Sequence, residues 1–126
     1  MQNETKLTAR LVKAWSEMLC EVISIHGSGM QAPGWPDVFL VSTSWTGFIE
    51  FKGPTTATKG HQTRILRRLE GCPVPTCLVR FLRVEGELWS MQVERSDGST
   101  IVCISVAGTD GVVAAGLLRQ LREVVK

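Results

Sequence analysis

The sequence predicts an α/β layer protein with a mixed sheet, and three observations carry that prediction. Apolar residues recur at three- and four-residue spacing near both ends of the chain, the pattern of helices with one buried face. Short apolar runs between them, such as Val38-Phe39-Leu40-Val41, fit buried strands. A basic helical segment after Lys52 then separates those strands from a second group.

The first helix is expected from about Thr5 to Cys20, where Leu7, Leu11, Trp15, Met18 and Leu19 recur on one side and Asn3 or Thr5 can cap the start. A short strand, Val22 to Ile25, follows it. Gly27 to Gly34 reads as a loop, because three glycines and Pro33 break any regular pattern. Asp37 to Val41 reads as a central strand, Ser42 to Thr46 as a turn, and Gly47 to Lys52 as the next strand. Alternation within that strand puts Glu50 and Lys52 on one face and Ile49 and Phe51 on the other. After Gly53-Pro54, a helix is expected from about Thr58 to Leu69, with Gln62, Ile65, Leu66 and Leu69 on one stripe and Arg64, Arg67 and Arg68 elsewhere. Thr76 to Arg83, Glu87 to Glu94 and Thr100 to Val106 form a strand meander, turning at Glu85-Gly86 and at Ser96 to Ser99. A terminal helix follows Thr109-Asp110, with Val113, Leu117, Leu118, Leu121 and Val125 on its apolar side.

The 126 residues, 44% of them hydrophobic, are read as one domain: a core over about 4–83, then C-terminal strands and a helix over 84–126. No stretch approaches the ~18 to 20 apolar residues of a membrane span, and the N-terminus lacks the basic-then-apolar pattern of a signal peptide. A cytoplasmic protein without a membrane partner is expected. Cys20 and Cys103 lie in a predicted helix and strand, where buried free cysteines usually sit. Cys72 and Cys77 form a lone C-x4-C pair, a poor zinc signal without a second pair. Reduced thiols are the expectation.

The net charge of +2 excludes little, but its distribution is informative. Between Phe51 and Arg83 lie Lys52, Lys59, Arg64, Arg67, Arg68, Arg80 and Arg83, with Glu70 as the one acid. A charge run alone is usually a solvated face; directly downstream of an acidic pair it becomes a candidate phosphate-contacting surface. Lys59, Arg64, Arg67 and Arg68 are the candidate DNA-binding residues.

The acidic pair is Asp37 and Glu50. Taken alone, Asp37 after Gly34-Trp35-Pro36 reads as a turn residue, and Gln62 as an ordinary polar helix position. Glu50 is harder to explain away, because an unpaired charge inside Phe48-Ile49-Glu50-Phe51 is costly, and a salt bridge to Lys52 of surface type would offset little of that cost. Two carboxylates can instead hold a hard divalent cation, Mg2+ or Mn2+, with the Phe51 backbone carbonyl as a third oxygen ligand. Lys52 then supplies a point charge beside the attacking water or the scissile phosphate, and Gln62 fixes Lys52 or the water. With the metal acidifying water, no histidine base is needed. His26 and His61 lack metal-ligand spacing and suit solvent-facing or phosphate-contacting roles.

Gly34-x-Pro36-Asp37, then Glu50-x-Lys52, then Gln62 resembles the PD-(D/E)xK nuclease superfamily, and specifically its VRR-NUC branch. The match covers roughly residues 4–80. It implies a restriction-endonuclease-like αβββαβ core with a central mixed sheet flanked by helices, and metal-dependent DNA cleavage leaving a 5′-phosphate. Single-domain members are frequent in phages and resemble homodimeric Holliday-junction resolvases, which implies branched DNA as substrate, a homodimer, and the cytoplasm of a bacterial or phage-infected cell. The resemblance also implies an acid on the first helix, for which Glu4, Glu17 and Glu21 compete; the apolar residues that follow Glu4 favour it. Two other functions remain open from sequence: a non-catalytic nucleic-acid-binding module of the same fold, and a restriction-type endonuclease, for which no base-reading loop is identifiable.

Overall fold

The computed structural model describes residues 3–25, 34–57 and 60–126, apart from the His61 side chain. Helix α1 (Glu4–Ser16) starts where the Asn3 side chain accepts a hydrogen bond from the Lys6 N–H at 2.9 Å. It buries Leu7, Leu11, Ala14 and Trp15. The helix stops short of Cys20, where the sequence pattern had extended it. Leu19 adopts a φ of 60°, in the left-handed region, and is 99% exposed, so the apolar stripe does not continue through it. Strand β1 (Glu21–Ser24) follows at once, one residue ahead of its expected place.

Strands β2 (Val38–Val41) and β3 (Gly47–Lys52) form an antiparallel hairpin with β1 on its outer side. Gly47 is demanded by a close approach: a Cβ there would strike the Pro75 carbonyl oxygen and the Trp45 ring. Helix α2 (Gly60–Glu70) carries the chain over to β4 (Thr76–Glu85), which pairs with β3 in parallel. Strands β5 (Leu88–Glu94) and β6 (Thr100–Ala107) complete an antiparallel meander, and helix α3 (Asp110–Val124) closes the described order. The six strands lie side by side in sequence order, with β3–β4 as the parallel pair. The protein is therefore α/β with a mixed sheet and three helices, in the element order α, three strands, α, three strands, α.

One sheet face holds the main core. Ile49, Phe51, Val79, Phe81, Trp89 and Met91 are fully buried there beneath α1 and α3. Phe51 and Phe81 stack at 5.6 Å, and Trp15 lies 6.2 Å from Phe51. Polar clamps fix the helices: Arg10 bonds both Asp110 carboxylate oxygens, at 3.0 and 2.6 Å, and Trp15 Nε1 donates to the Ala114 carbonyl at 3.0 Å. On the opposite face α2 packs on β4 and buries Leu66. Ile65, Leu69 and Gln62 are only half-buried, while Arg64, Arg67 and Arg68 are exposed. Thr58, the expected helix start, lies outside the described residues.

All four cysteines are free. Cys103 is exposed rather than buried, because its neighbours Val102 and Ile104 take the core-facing positions of β6 and alternation turns it outward. Among the described residues, no helix is long and apolar enough to cross a membrane.

Candidate active site

The chemistry-bearing side chains gather at the carboxyl end of β3. Register explains the first of them. Val38 pairs with Ile49, so Asp37, one residue ahead of β2, lies beside the second half of β3. Its Oδ2 accepts a hydrogen bond from the Phe51 N–H at 2.8 Å. Phe51 itself meets the site only through its backbone, since its ring is buried in the core on the opposite face.

Alternation places Glu50 and Lys52 on the α2 side of the sheet, and there they form a closed polar triangle with Gln62. Lys52 Nζ lies 3.2 Å from Glu50 Oε2 and donates to Gln62 Oε1 at 3.1 Å. The Gln62 amide donates to the same Glu50 Oε2 at 3.2 Å. This is a buried ion pair and not the surface pair expected from sequence: Glu50 is 3% exposed and Lys52 6%. The helix-borne glutamine thus fixes both charged groups of the E-x-K strand.

Glu50 Oε1 has no hydrogen-bond partner and is shielded from water. An unsatisfied buried carboxylate oxygen costs more than the net value of the bond it lacks. The carboxyl responds as physics requires: burial first, and the Asp37 charge second, push its pKa up to about 8, against the opposing charge of Lys52. A proton on Glu50 would also let it donate to Asp37. A divalent cation between the two carboxylates would satisfy the same oxygen without a proton. Among the described residues, no three acidic, histidine or cysteine side chains converge on one point. The donor set that fits a cation is accordingly Asp37 and Glu50, completed by backbone oxygen such as the Phe51 carbonyl.

Of the three competing acids, Glu4 is the one that reaches the site. Its Oε2 accepts the Gly53 N–H at 3.1 Å, bracing the chain as it leaves β3. Burial and then the Asp37 charge raise its pKa, with Lys52 opposing. Glu17 and Glu21 are exposed beyond the far end of α1. Its place in the first turn of α1 is the signal that separates Glu4 from them, because only that end of the helix meets Gly53.

Arg80 corrects another expectation. Counted in the basic run as a phosphate contact, it is instead engaged inside the fold. It pairs across the parallel strands with Lys52, and its guanidinium bonds both oxygens of buried Glu94, at 2.8 and 3.3 Å. The same group donates to the carbonyls of Gly53 and Thr56, at 2.8 and 2.7 Å. Arg83, by contrast, pairs with Glu85 at the surface, where both side chains are exposed. Arg64, Arg67 and Arg68 remain exposed on the outer side of α2, turned away from Gln62 and Leu66 and grouped with Gly60 and Thr63 around one surface hollow. Lys59, His26 and the His61 side chain lie outside the described residues. No protein-family model matches this sequence, and no curated protein matches it.

Proposed function

We propose that this chain is a Mg2+- or Mn2+-dependent DNA endonuclease of the PD-(D/E)xK superfamily, in its VRR-NUC branch. In that reading the mixed sheet and its helices are a restriction-endonuclease-like core, the substrate is branched DNA, and the working form is a homodimer. The observation that carries the proposal is the buried Glu50–Lys52–Gln62 triangle beside Asp37, with one Glu50 oxygen left unsatisfied. A scaffold gains nothing from an acid buried in that state, whereas a cation-holding acid needs such an oxygen.

Asp37 and Glu50, with the Phe51 carbonyl, would hold the cation. When bound, the cation supplies Lewis acidity toward the phosphate and acidifies a nearby water. The residues around it have separate tasks. Lys52, anchored by Glu50 and Gln62, keeps its ammonium at a fixed position where it can stabilise charge developing on a phosphate oxygen. Its burial strengthens that effect, because screening by water is reduced. Gln62 restrains Lys52, and Glu4 restrains the backbone immediately after it. Arg64, Arg67 and Arg68, exposed on α2, would neutralise the DNA backbone.

The test is cleavage of labelled four-way junction, flap, duplex and single-stranded DNA with Mg2+, Mn2+ or EDTA, by the natural protein, Glu50→Gln and Lys52→Ala. Metal-dependent cutting that falls by about 100-fold or more in each variant is the expected result. Folded natural protein that binds these DNAs without cutting any of them would sink the nuclease reading and leave a binding module.

A further inference from the structure

The sheet face that carries Glu50 and Lys52 also carries a row of aromatic rings. Phe48 lies two residues before Glu50 on β3, hence on the same face and about 7 Å away along the strand. Phe39 is its direct partner on β2, with ring centroids 4.7 Å apart. Trp35 meets Phe48 edge-on at 5.9 Å. The row continues to Ile23, which pairs with Phe39 and is 56% exposed. All three rings are only half-buried. Among the described elements, α2 is the helix on this face, and it packs on β4 at the other side of the acids.

The rings bury part of their surface against one another, and each would bury more if a partner covered its open side. Their setting suggests a partner. On one side of Glu50 and Lys52 lies α2, whose exposed Arg64, Arg67 and Arg68 attract phosphates; on the other lie the rings, with Asp37 between Trp35 and Phe39 along the chain and Glu21 two residues from Ile23. A chain that presents phosphates and flat apolar faces in alternation fits both sides, and single-stranded DNA is such a chain. A base-paired duplex keeps its base faces stacked internally and cannot offer them.

We infer that Phe48, Phe39 and Trp35 form a stacking platform for an unpaired nucleobase of single-stranded DNA, next to the phosphate held at Glu50 and Lys52. The inference rests on the nuclease reading for its orientation, but it makes its own claim about binding. The platform biases the site toward DNA with unstacked bases, such as flaps and junction branch points, without any sequence readout.

The test separates the two claims by removing turnover. In EDTA, fluorescence anisotropy compares a labelled thymidine strand of about twelve nucleotides with an abasic strand of equal length and charge. The natural protein should bind the thymidine strand about five- to hundredfold more tightly, the worth of one good base–aromatic stack. Phe48→Leu and Phe39→Leu, which preserve apolar bulk, should bring that ratio toward one. Phe48→Trp should retain it, and stands as the second variant should a leucine variant unfold. Equal binding of both strands by the natural protein would overturn the inference, as would a preference that survives in folded leucine variants. A Phe39→Ser protein that turns from dimer to monomer in sedimentation, with its base preference intact, would overturn it too and assign the face to a second copy of the chain. Loss of cleavage in Glu50→Gln is a separate readout, so failure of the nuclease reading and failure of the platform are distinguishable.

Discussion

Glu50 is held by two donors on one oxygen and by none on the other, at 3% exposure. Its raised pKa therefore has a consequence for the metal-free protein. The folded state binds a proton on Glu50 more tightly than the unfolded chain does, so that contribution to stability is complete below the ordinary carboxyl value of 4.5 and is lost as pH rises toward about 8. In EDTA, the midpoint of urea unfolding should fall across that window, and Glu50→Gln should flatten the fall. Added Mg2+ or Mn2+ should raise stability more at the alkaline end, since it binds the ionised carboxylate. A pH profile identical in Glu50→Gln would show that the carboxyl is not strained as described. Gln62 permits a milder test. Gln62→Leu removes one hydrogen bond to each charged partner, and a bond to a charged group is worth about 1.5 to 3 kcal/mol. Cleavage should drop by about 10- to 100-fold, well short of the loss in Lys52→Ala. Activity equal to that of the natural protein would mean that the triangle is not what positions Lys52.

At the scale of elements, the site depends on how β3, β4 and α1 meet, and Arg80 is the strongest tie. It bonds Glu94 on β5 and the carbonyls of Gly53 and Thr56 in the segment after β3. Arg80→Met would leave buried Glu94 without its counter-ion, with only the Gln92 amide still donating to it at 2.9 Å; breaking such a buried pair costs about 3 to 5 kcal/mol. Arg80→Met combined with Glu94→Gln should recover part of that loss in urea unfolding; simple addition of the two single effects would refute the coupling. Much of this level was legible in the sequence. Strand alternation correctly put Glu50 and Lys52 opposite Ile49 and Phe51, and the helix and strand order followed from the spacing of apolar residues. The end of α1 was not legible, because Met18 and Leu19 continue an apolar pattern that the left-handed φ of Leu19 breaks. Arg80 was read by the company of its charge along the chain, whereas its partner Glu94 lies across the sheet. Glu4 stayed one of three because its contact, the Gly53 N–H, is created by packing of α1 against the end of β3.

The whole molecule carries only a small positive charge, +2, yet its exposed arginines on α2 stand together on the outer side of the helix that supplies Gln62 to the acidic site. Net charge alone would give weak, diffuse attraction to DNA; a local cluster gives contacts that can be counted. Of the basic run after Phe51, Arg80 is bound inside the fold, Lys52 is buried and Arg83 has Glu85 as a surface counter-charge, which leaves Arg64, Arg67 and Arg68 as the described cluster facing solvent. Three phosphates neutralised by that cluster should give a log–log slope of duplex affinity against salt of about −2.7, at about −0.9 per contact. Arg67→Gln should reduce the slope by about 0.9 and weaken binding to all sequences alike. Arg83→Gln should leave the slope unchanged, because Glu85 beside it already offsets that charge and Arg83 lies outside the α2 cluster. The base preference measured on single strands should be indifferent to Arg67→Gln, since stacking does not release counterions. A titration series between about 50 and 200 mM salt decides the matter: a slope that Arg67→Gln does not change would move the DNA path away from α2, and with it the assignment of this face of the molecule to the phosphate backbone.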